Sequence, residues 1–177
     1  MVKLLLAGTG LIGHRHMQHI LEHPDLELVG IIDPVITDEQ IAGVKTYKSL
    51  NDLNTVADGI ILATPTDTHA DLTIKSLEMG MHVLVEKPVA ASLLEADNMI
   101  IASKKTGLHV LVGHHRRHHP LVSETINILN SGRIGRPVAA SLMWLMRKQD
   151  EYFNVDWRKG IDGGPVKQNL IHDVDTL

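Results

Sequence analysis

The segment Val2-Lys3-Leu4-Leu5-Leu6-Ala7 runs directly into Gly8-Thr9-Gly10-Leu11-Ile12-Gly13, and no other stretch constrains the fold as much. An apolar run of strand length breaks into G-x-G-x-x-G spacing and resumes with helix-compatible Leu11, Ile12, Ile20 and Leu21. That is the pattern of a strand, a tight turn and a helix that receives a dinucleotide. Gly8 permits the turn, Gly10 lets the backbone approach a pyrophosphate, and Gly13 lets the helix pack close to its strand. The helix start offers N–H groups and the positive end of its dipole to the phosphates. A second apolar run, Leu26 to Ile32, ends on Asp33, twenty residues beyond Gly13, where the ribose-binding acid of such units falls. An acid there accepts both ribose hydroxyls and repels a 2′-phosphate, and Pro34, Val35 and Ile36 bring no cation to reverse that preference. The expected cofactor is NAD, with NADP left open by the nearby His14 and Arg15.

Strand-like and helix-like runs alternate for the first two-thirds of the chain. The strand-like runs are VKLLLA, LELVGII, a weak GVKTY, DGIILAT, MHVLVEK and LHVLVGHH. A helix is expected from Asp67, after a Thr/Asp cap, to Met79, stopping at Gly80. Another runs from Ser92, with a Ser92/Glu95 capping box, to Thr106, stopping at Gly107. In the second helix Leu93, Ala96, Met99 and Ile100 form the stripe expected to face the sheet. The expected fold class is α/β, a Rossmann doubly wound parallel sheet with its ligand crevice at the carboxyl ends of the strands. The Gly8 turn, Asp33, Thr64, Lys87 and His114 all fall at such ends.

The character of the sequence changes near residue 120, giving an expected Rossmann domain over 1–120 and a second domain over 121–177. Both tryptophans, one of the two tyrosines and the only phenylalanine lie in the last third. A helix is expected over Leu121–Asn130 and a long strand over VAASLMWLMRK, after Arg136-Pro137. A lone strand cannot satisfy its backbone groups or bury a face, so this region reads as the start of an incomplete α/β open-sheet domain. The exposed face with Leu142, Trp144 and Met146 would then drive association, and a homo-oligomer through the second domain is expected.

Composition narrows the function classes. The chain has 177 residues, no cysteine and a formal net charge of −4, which removes disulfides, thiol nucleophiles and cysteine-ligated zinc. No long basic run points to nucleic acid, and no apolar stretch approaches a membrane span. Met1 to Ala7 is too short for a signal peptide and reads as a buried strand, so the expected location is the cytoplasm. Small-molecule chemistry is the better expectation.

Two residues are candidates for proton handling. Lys87, in Glu86-Lys87-Pro88, sits where the nicotinamide end should lie. A lysine there can bond a substrate hydroxyl and favour its alkoxide, although an ordinary strand-end lysine has the same local sequence. Pro88 would keep Lys87 out of helical geometry and allows a cis bond. His172, between Ile171 and Asp173, can take a hydroxyl proton near neutral pH, with Asp175 three residues on to orient it, or it can be a packed helix histidine. In His114-His115-Arg116-Arg117-His118-His119 a metal reading is weak, because no carboxylate completes a ligand set. A cationic rim in which Arg116 or Arg117 holds substrate or cofactor oxygens is preferred. His69 either lines the crevice or faces solvent.

The motifs GTGLIGHRH, Asp33, ATPTDTHADL, HVLVEKPVA, VGHHRRHHP and WRKG followed by GGPVKQNLIHDVD together resemble the Gfo/Idh/MocA oxidoreductases, over the whole chain. The resemblance implies a Rossmann domain followed by an α/β open-sheet domain that carries the substrate pocket and commonly the oligomer interface. It implies NAD(P)-dependent oxidation of a ring hydroxyl of a sugar, cyclitol or related polyol, or reduction of the ketone. Lys87 matches the lysine of the family's EKP, and His172 the histidine after its double glycine. Gly8, Gly10, Leu11, Ile12 and Asp33 match cofactor positions, Thr64, Pro65, His69 and Glu86 the crevice, and Trp157 and Arg158 a pair near nicotinamide or substrate. Asp162 replaces a family glycine, and Gln168 replaces an aspartate that would share in proton transfer. Family members are roughly twice as long as this chain, in keeping with two full domains. A dinucleotide-binding fragment or sensor without catalysis is therefore the alternative reading.

Overall fold

Alternation along the first strand sets the layers of the molecule. In the computed structural model, which describes residues 1–143, 145–154, 159, 164 and 169–177, strand β1 (Val2–Ala7) turns Leu5 and Ala7 to one face and Leu6 to the other. Helix α1 (Leu11–Glu22) covers the Leu6 face, bringing Ile20 and Met17 against Leu28, Ile31 and Ile61. Strand β2 (Leu26–Ile32) follows, then a hairpin of β3 (Gln40–Ile41) and β4 (Val44–Tyr47), and then β5 (Gly59–Leu62). Helix α2 (His69–Glu78), strand β6 (His82–Val85), helix α3 (Leu93–Thr106) and strand β7 (Val110–Val112) complete the sheet region. Leu77 of α2 and Met99 of α3 pack with Leu5, Ile60, Leu62, Val83 and Val85 on the second face. Strands buried on both sides read as continuous apolar runs, which is why this region looks uniformly hydrophobic.

The strand order is β3-β4-β2-β1-β5-β6-β7. Every pairing is parallel except that of β3 with β4. The chain moves outward from β1 on one side and then returns to β5 on the other, so the switch point lies at the carboxyl ends of β1 and β5. Ligands of open α/β sheets bind in that crevice.

The second helix begins differently from its expected form. Thr66–Thr68 form a 3-10 turn before α2, and Thr68 makes no side-chain cap. Its hydroxyl instead donates to the Pro65 carbonyl and lies within hydrogen-bond distance of Thr64 Oγ1, both at 2.7 Å. The Ser92/Glu95 capping box is present, and Gly107 closes α3 in the left-handed conformation. The expected stripe on α3 needs correction. Met99 is 2% exposed, but Leu93 is 86% exposed and Ile100 is also outside; the inward face instead runs through Ala96, Met99, Ala102, Ser103 and Thr106. The smaller residues lie on the inner face, where α3 packs against α2.

The chain divides into two units, Met1–Gly113 and His114–Leu177, so the break falls ahead of the change in composition near residue 120. The second unit contains α4 (Pro120–Asn130), opened by proline at its first turn, and α5 (Ile171–Thr176). The expected long strand over 138–148 is not formed by its described residues. No neighbouring strand among them supplies the ladder such a strand needs, and Leu142 and Met146 lie exposed in irregular backbone. Trp144, Trp157, Arg158, Asp162 and Gln168 lie outside the described residues.

Candidate active site

The glycines after β1 divide into two that are crowded and one that is open. A Cβ on Gly8, whose φ is +91°, would lie 2.4 Å from the Ala63 carbonyl oxygen, and one on Gly13 would lie 2.0 Å from that of Gly8. Both positions therefore close the turn against its surroundings. Gly10 has no atom within 4 Å of where its Cβ would stand, and as the N-cap of α1 it supplies no side-chain bond. An uncapped helix start beneath open space, with exposed Leu11 and Ile12 on its first turn, has the donors and the room that a dinucleotide phosphate requires.

Asp33 stands beside this turn at the end of β2. Its Oδ2 accepts from the Thr9 backbone N–H at 2.9 Å and from the Thr9 hydroxyl at 2.6 Å, while Oδ1 accepts from the Val35 N–H at 3.0 Å. Burial pushes this carboxyl up, but the Thr9 hydroxyl, the Val35 and Thr9 amides and the Lys48 charge together hold it below the ordinary aspartate value. Lys48 is a residue that local sequence reading misses. The register Ile32↔Tyr47 and the Asp33 N–H to Tyr47 carbonyl bond of 3.0 Å bring the end of β4 alongside Asp33. His14 turns back on its own helix, its Nδ1 lying 3.2 Å from the Gly10 carbonyl oxygen.

At the ends of β5 and β6 a set of hydrogen bonds ties three loops together. His69, only 1% exposed, places Nε2 2.9 Å from the Thr64 carbonyl oxygen and Nδ1 2.9 Å from that of Pro88. Both partners are acceptors, so the ring bonds one through the N–H of its tautomer, and both only when it carries two protons. His69 thus joins the Thr64-Pro65 loop to the Lys87-Pro88 loop and does not face solvent. Glu86 is also anchored: Oε1 pairs with His16 Nε2 at 2.8 Å, and Oε2 accepts the Lys87 N–H at 3.3 Å. Burial raises the Glu86 carboxyl, but the bond to His16 and the charges of His16 and Lys87 bring it below its ordinary value. A Cβ on Gly113 would meet this carboxylate at 3.0 Å. The Lys87–Pro88 bond is cis.

In the second unit the 3-10 turn His115–His118 is bound to α5. Arg116 Nη1 donates to Asp173 at 2.5 Å, and Arg117 grips both oxygens of Asp175 at 2.6–3.1 Å. The Arg117 bonds hold the Asp175 carboxyl below its ordinary value. His172, 7% exposed, lies edge-on to His115 and His114 with ring centroids 4.7 and 6.1 Å away. Asp175 lies 3.5 Å from His114 Nδ1. Asp175, the carboxylate expected to orient His172, bonds Arg117 and lies near His114, and His172 also acts on its carboxyl; Arg116, expected at cofactor or substrate, bonds Asp173. Among the described residues no three His, Asp or Glu side chains form a group able to hold a metal.

The sequence profile described as an oxidoreductase family with an NAD-binding Rossmann fold, Gfo/Idh/MocA, matches residues 2–114. The chain belongs to this family. It is 33% identical over 147 residues to scyllo-inositol 2-dehydrogenase (NAD(+)) of Bacillus subtilis strain 168, covering 77% of this chain and 42% of that protein. The WlbA dehydrogenase of Bordetella pertussis, solved in complex with NADH and UDP-GlcNAcA, is 30% identical with a TM-score of 0.72, covering 76% of this chain and 41% of that one. Myo-inositol 2-dehydrogenase of Lactobacillus plantarum shares the fold with a TM-score of 0.83 at 23% identity, over 99% of this chain and 55% of that one. The chain spans about half the length of the curated relatives it matches.

In this Gfo/Idh/MocA chain Gly8, Gly10, Leu11, Ile12, Gly13 and Asp33 cluster around the end of β1. Thr64, Pro65, His69, Glu86 and Lys87 fall at the ends of β5 and β6, within the same unit. Arg116 and His172 belong to the other unit. Besides Lys48, the residue overlooked is His16. Its signal is helical periodicity, since Gly13, His16 or Met17, and Ile20 share the inward side of α1.

Proposed function

We propose that this chain carries the dinucleotide site of an NAD(P)-dependent dehydrogenase that acts on a ring hydroxyl of a sugar, cyclitol or related polyol, or reduces the corresponding ketone. The observation that carries the reading is the anchoring of the loop that bears Lys87 after β6: Glu86 bonds His16 and the Lys87 N–H, and the Pro88 carbonyl lies against His69. The open space over Gly10 and the start of α1 would seat the pyrophosphate, and Asp33 the adenosine ribose. When bound, the nicotinamide supplies the hydride acceptor or donor. The Lys87 ammonium would bond the substrate oxygen and stabilise the alkoxide that develops as its proton leaves. His172 is assigned as the second proton-handling group, held on α5 by the Asp173 and Asp175 bonds to Arg116 and Arg117. Trp157 and Arg158 remain assigned, with the cofactor or substrate, from the family resemblance. Relatives named inositol dehydrogenases support a cyclitol as the first substrate to try.

The test is Lys87→Met, assayed for NADH formation with an inositol panel and for NADH affinity by calorimetry. The reading expects turnover to fall by about 10²-fold or more with NADH affinity nearly intact. Equal turnover removes Lys87 from the mechanism. Saturable NADH binding with no turnover of any polyol by the wild type would instead describe a dinucleotide-binding module.

A further inference from the structure

We propose that the adenosine end of this site accepts a 2′-phosphate as well as a free ribose, and that Lys48 is the residue that pairs with the phosphate. The proposal rests on the reading that the Gly8 turn holds a dinucleotide, and it concerns which dinucleotide.

An acid at the end of β2 selects for NAD in two ways: it takes the two ribose hydroxyls as a bidentate pair, and its charge repels a phosphate. Asp33 is weakened in both. A carboxylate offers about four acceptor positions, and three are already filled: two on Oδ2 by the Thr9 amide and hydroxyl, and one on Oδ1 by the Val35 amide. One position remains, so a second ribose hydroxyl must displace the Thr9 hydroxyl. The gain that normally favours an unphosphorylated ribose is reduced accordingly.

Lys48 opposes the repulsion. Its ammonium donates to the Pro34 carbonyl at 3.4 Å, one residue beyond Asp33, and its charge already acts on the Asp33 carboxyl. The parallel pairing of β2 with β4 fixes its base there, while the exposed side chain keeps a flexible four-carbon stem free to swing. A lysine of this kind binds phosphate as a point charge without demanding bidentate geometry. An exposed pair is screened within about 8–10 Å at ordinary ionic strength, so its contribution must depend on salt.

The experiment is calorimetric titration of the full chain and of Lys48→Ala and Lys48→Arg with NADH and with NADPH, at low and raised salt. Folding of each variant is checked by circular dichroism. The wild type is expected to bind both cofactors with Kd values within about tenfold of each other, Lys48→Ala to raise the NADPH-to-NADH ratio about tenfold, and Lys48→Arg to restore it. Raised salt should weaken NADPH more than NADH in the wild type, and this difference should shrink in Lys48→Ala. Wild-type protein that binds NADH but excludes NADPH overturns the proposal, as does a ratio that Lys48→Ala leaves unchanged. Binding of neither cofactor overturns the dinucleotide reading itself, and the two failures are thereby told apart.

Discussion

Gly10→Ala separates what the glycine turn does for folding from what it does for binding. The backbone at Gly10 has φ −66° and ψ −174°, a conformation open to any residue, and no atom lies within 4 Å of the added methyl. Two small terms act on stability. Alanine is a poorer helix N-cap than glycine by roughly 0.5–1 kcal/mol, while the narrower unfolded ensemble returns about 0.4–1 kcal/mol. They nearly cancel, so the unfolding free energy should change by no more than about 0.5 kcal/mol. Binding should respond differently, because the methyl would take up part of the open space assigned to the pyrophosphate beside the start of α1. Loss of one charge-assisted phosphate bond is worth about 1.5–3 kcal/mol, so NADH affinity should fall at least about tenfold. Gly13→Ala is the control with the opposite profile. Its Cβ would meet the Gly8 carbonyl oxygen at 2.0 Å, a backbone clash that costs about 3 kcal/mol or more. Urea denaturation and NADH calorimetry on both variants provide the readouts. A folded Gly10→Ala protein that binds NADH as tightly as wild type would refute the assignment of that space to the pyrophosphate.

Two further outcomes follow from the hydrogen bonds of the first unit. Glu86 and Asp33 both titrate below their ordinary values in the folded chain. Their contribution to stability is complete above the unfolded carboxylate range and is lost as pH falls through the folded values, below about pH 4. Urea midpoints measured from neutral pH downward should show this acid loss, and Glu86→Gln should make it shallower; an unchanged profile would mean that the His16–Glu86 pair is not coupled to folding. Ser92→Ala removes the side-chain acceptor of the capping box on α3 and should lower stability by about 1 kcal/mol in the same assay, with no effect on NADH affinity.

The parts of this fold that were legible in the sequence are those encoded by neighbours. Gly8, Gly10 and Gly13 declare their turn because the conformations and clearances they provide belong to six consecutive residues. Ser92 with Glu95, and Gly107, mark the ends of α3 through bonds that span three or four positions. Asp33 is readable because the length of a β-α-β unit is nearly constant. The parts that were not legible depend on who lies alongside. Lys48 reaches Asp33 only through the pairing of β4 with β2, and nothing within Asp33-Pro34-Val35-Ile36 announces it. Thr9 fills Asp33 across 24 positions, which changes what that acid can still accept. On α3 the apolar residues Leu93 and Ile100 pointed to the wrong face, because close packing on α2 favours Ala96 and Ala102 over larger side chains. Among the described residues of 138–148 an apolar sequence was not sufficient for a strand, since ladder bonds need a partner as well as a pattern.

Dinucleotide binding by the Gly8 turn is tested most directly by calorimetric titration of the wild-type chain with NADH. Saturable one-to-one binding, weakened in Gly10→Ala, is the expected result. Absence of binding by folded wild-type protein would contradict the account at its base.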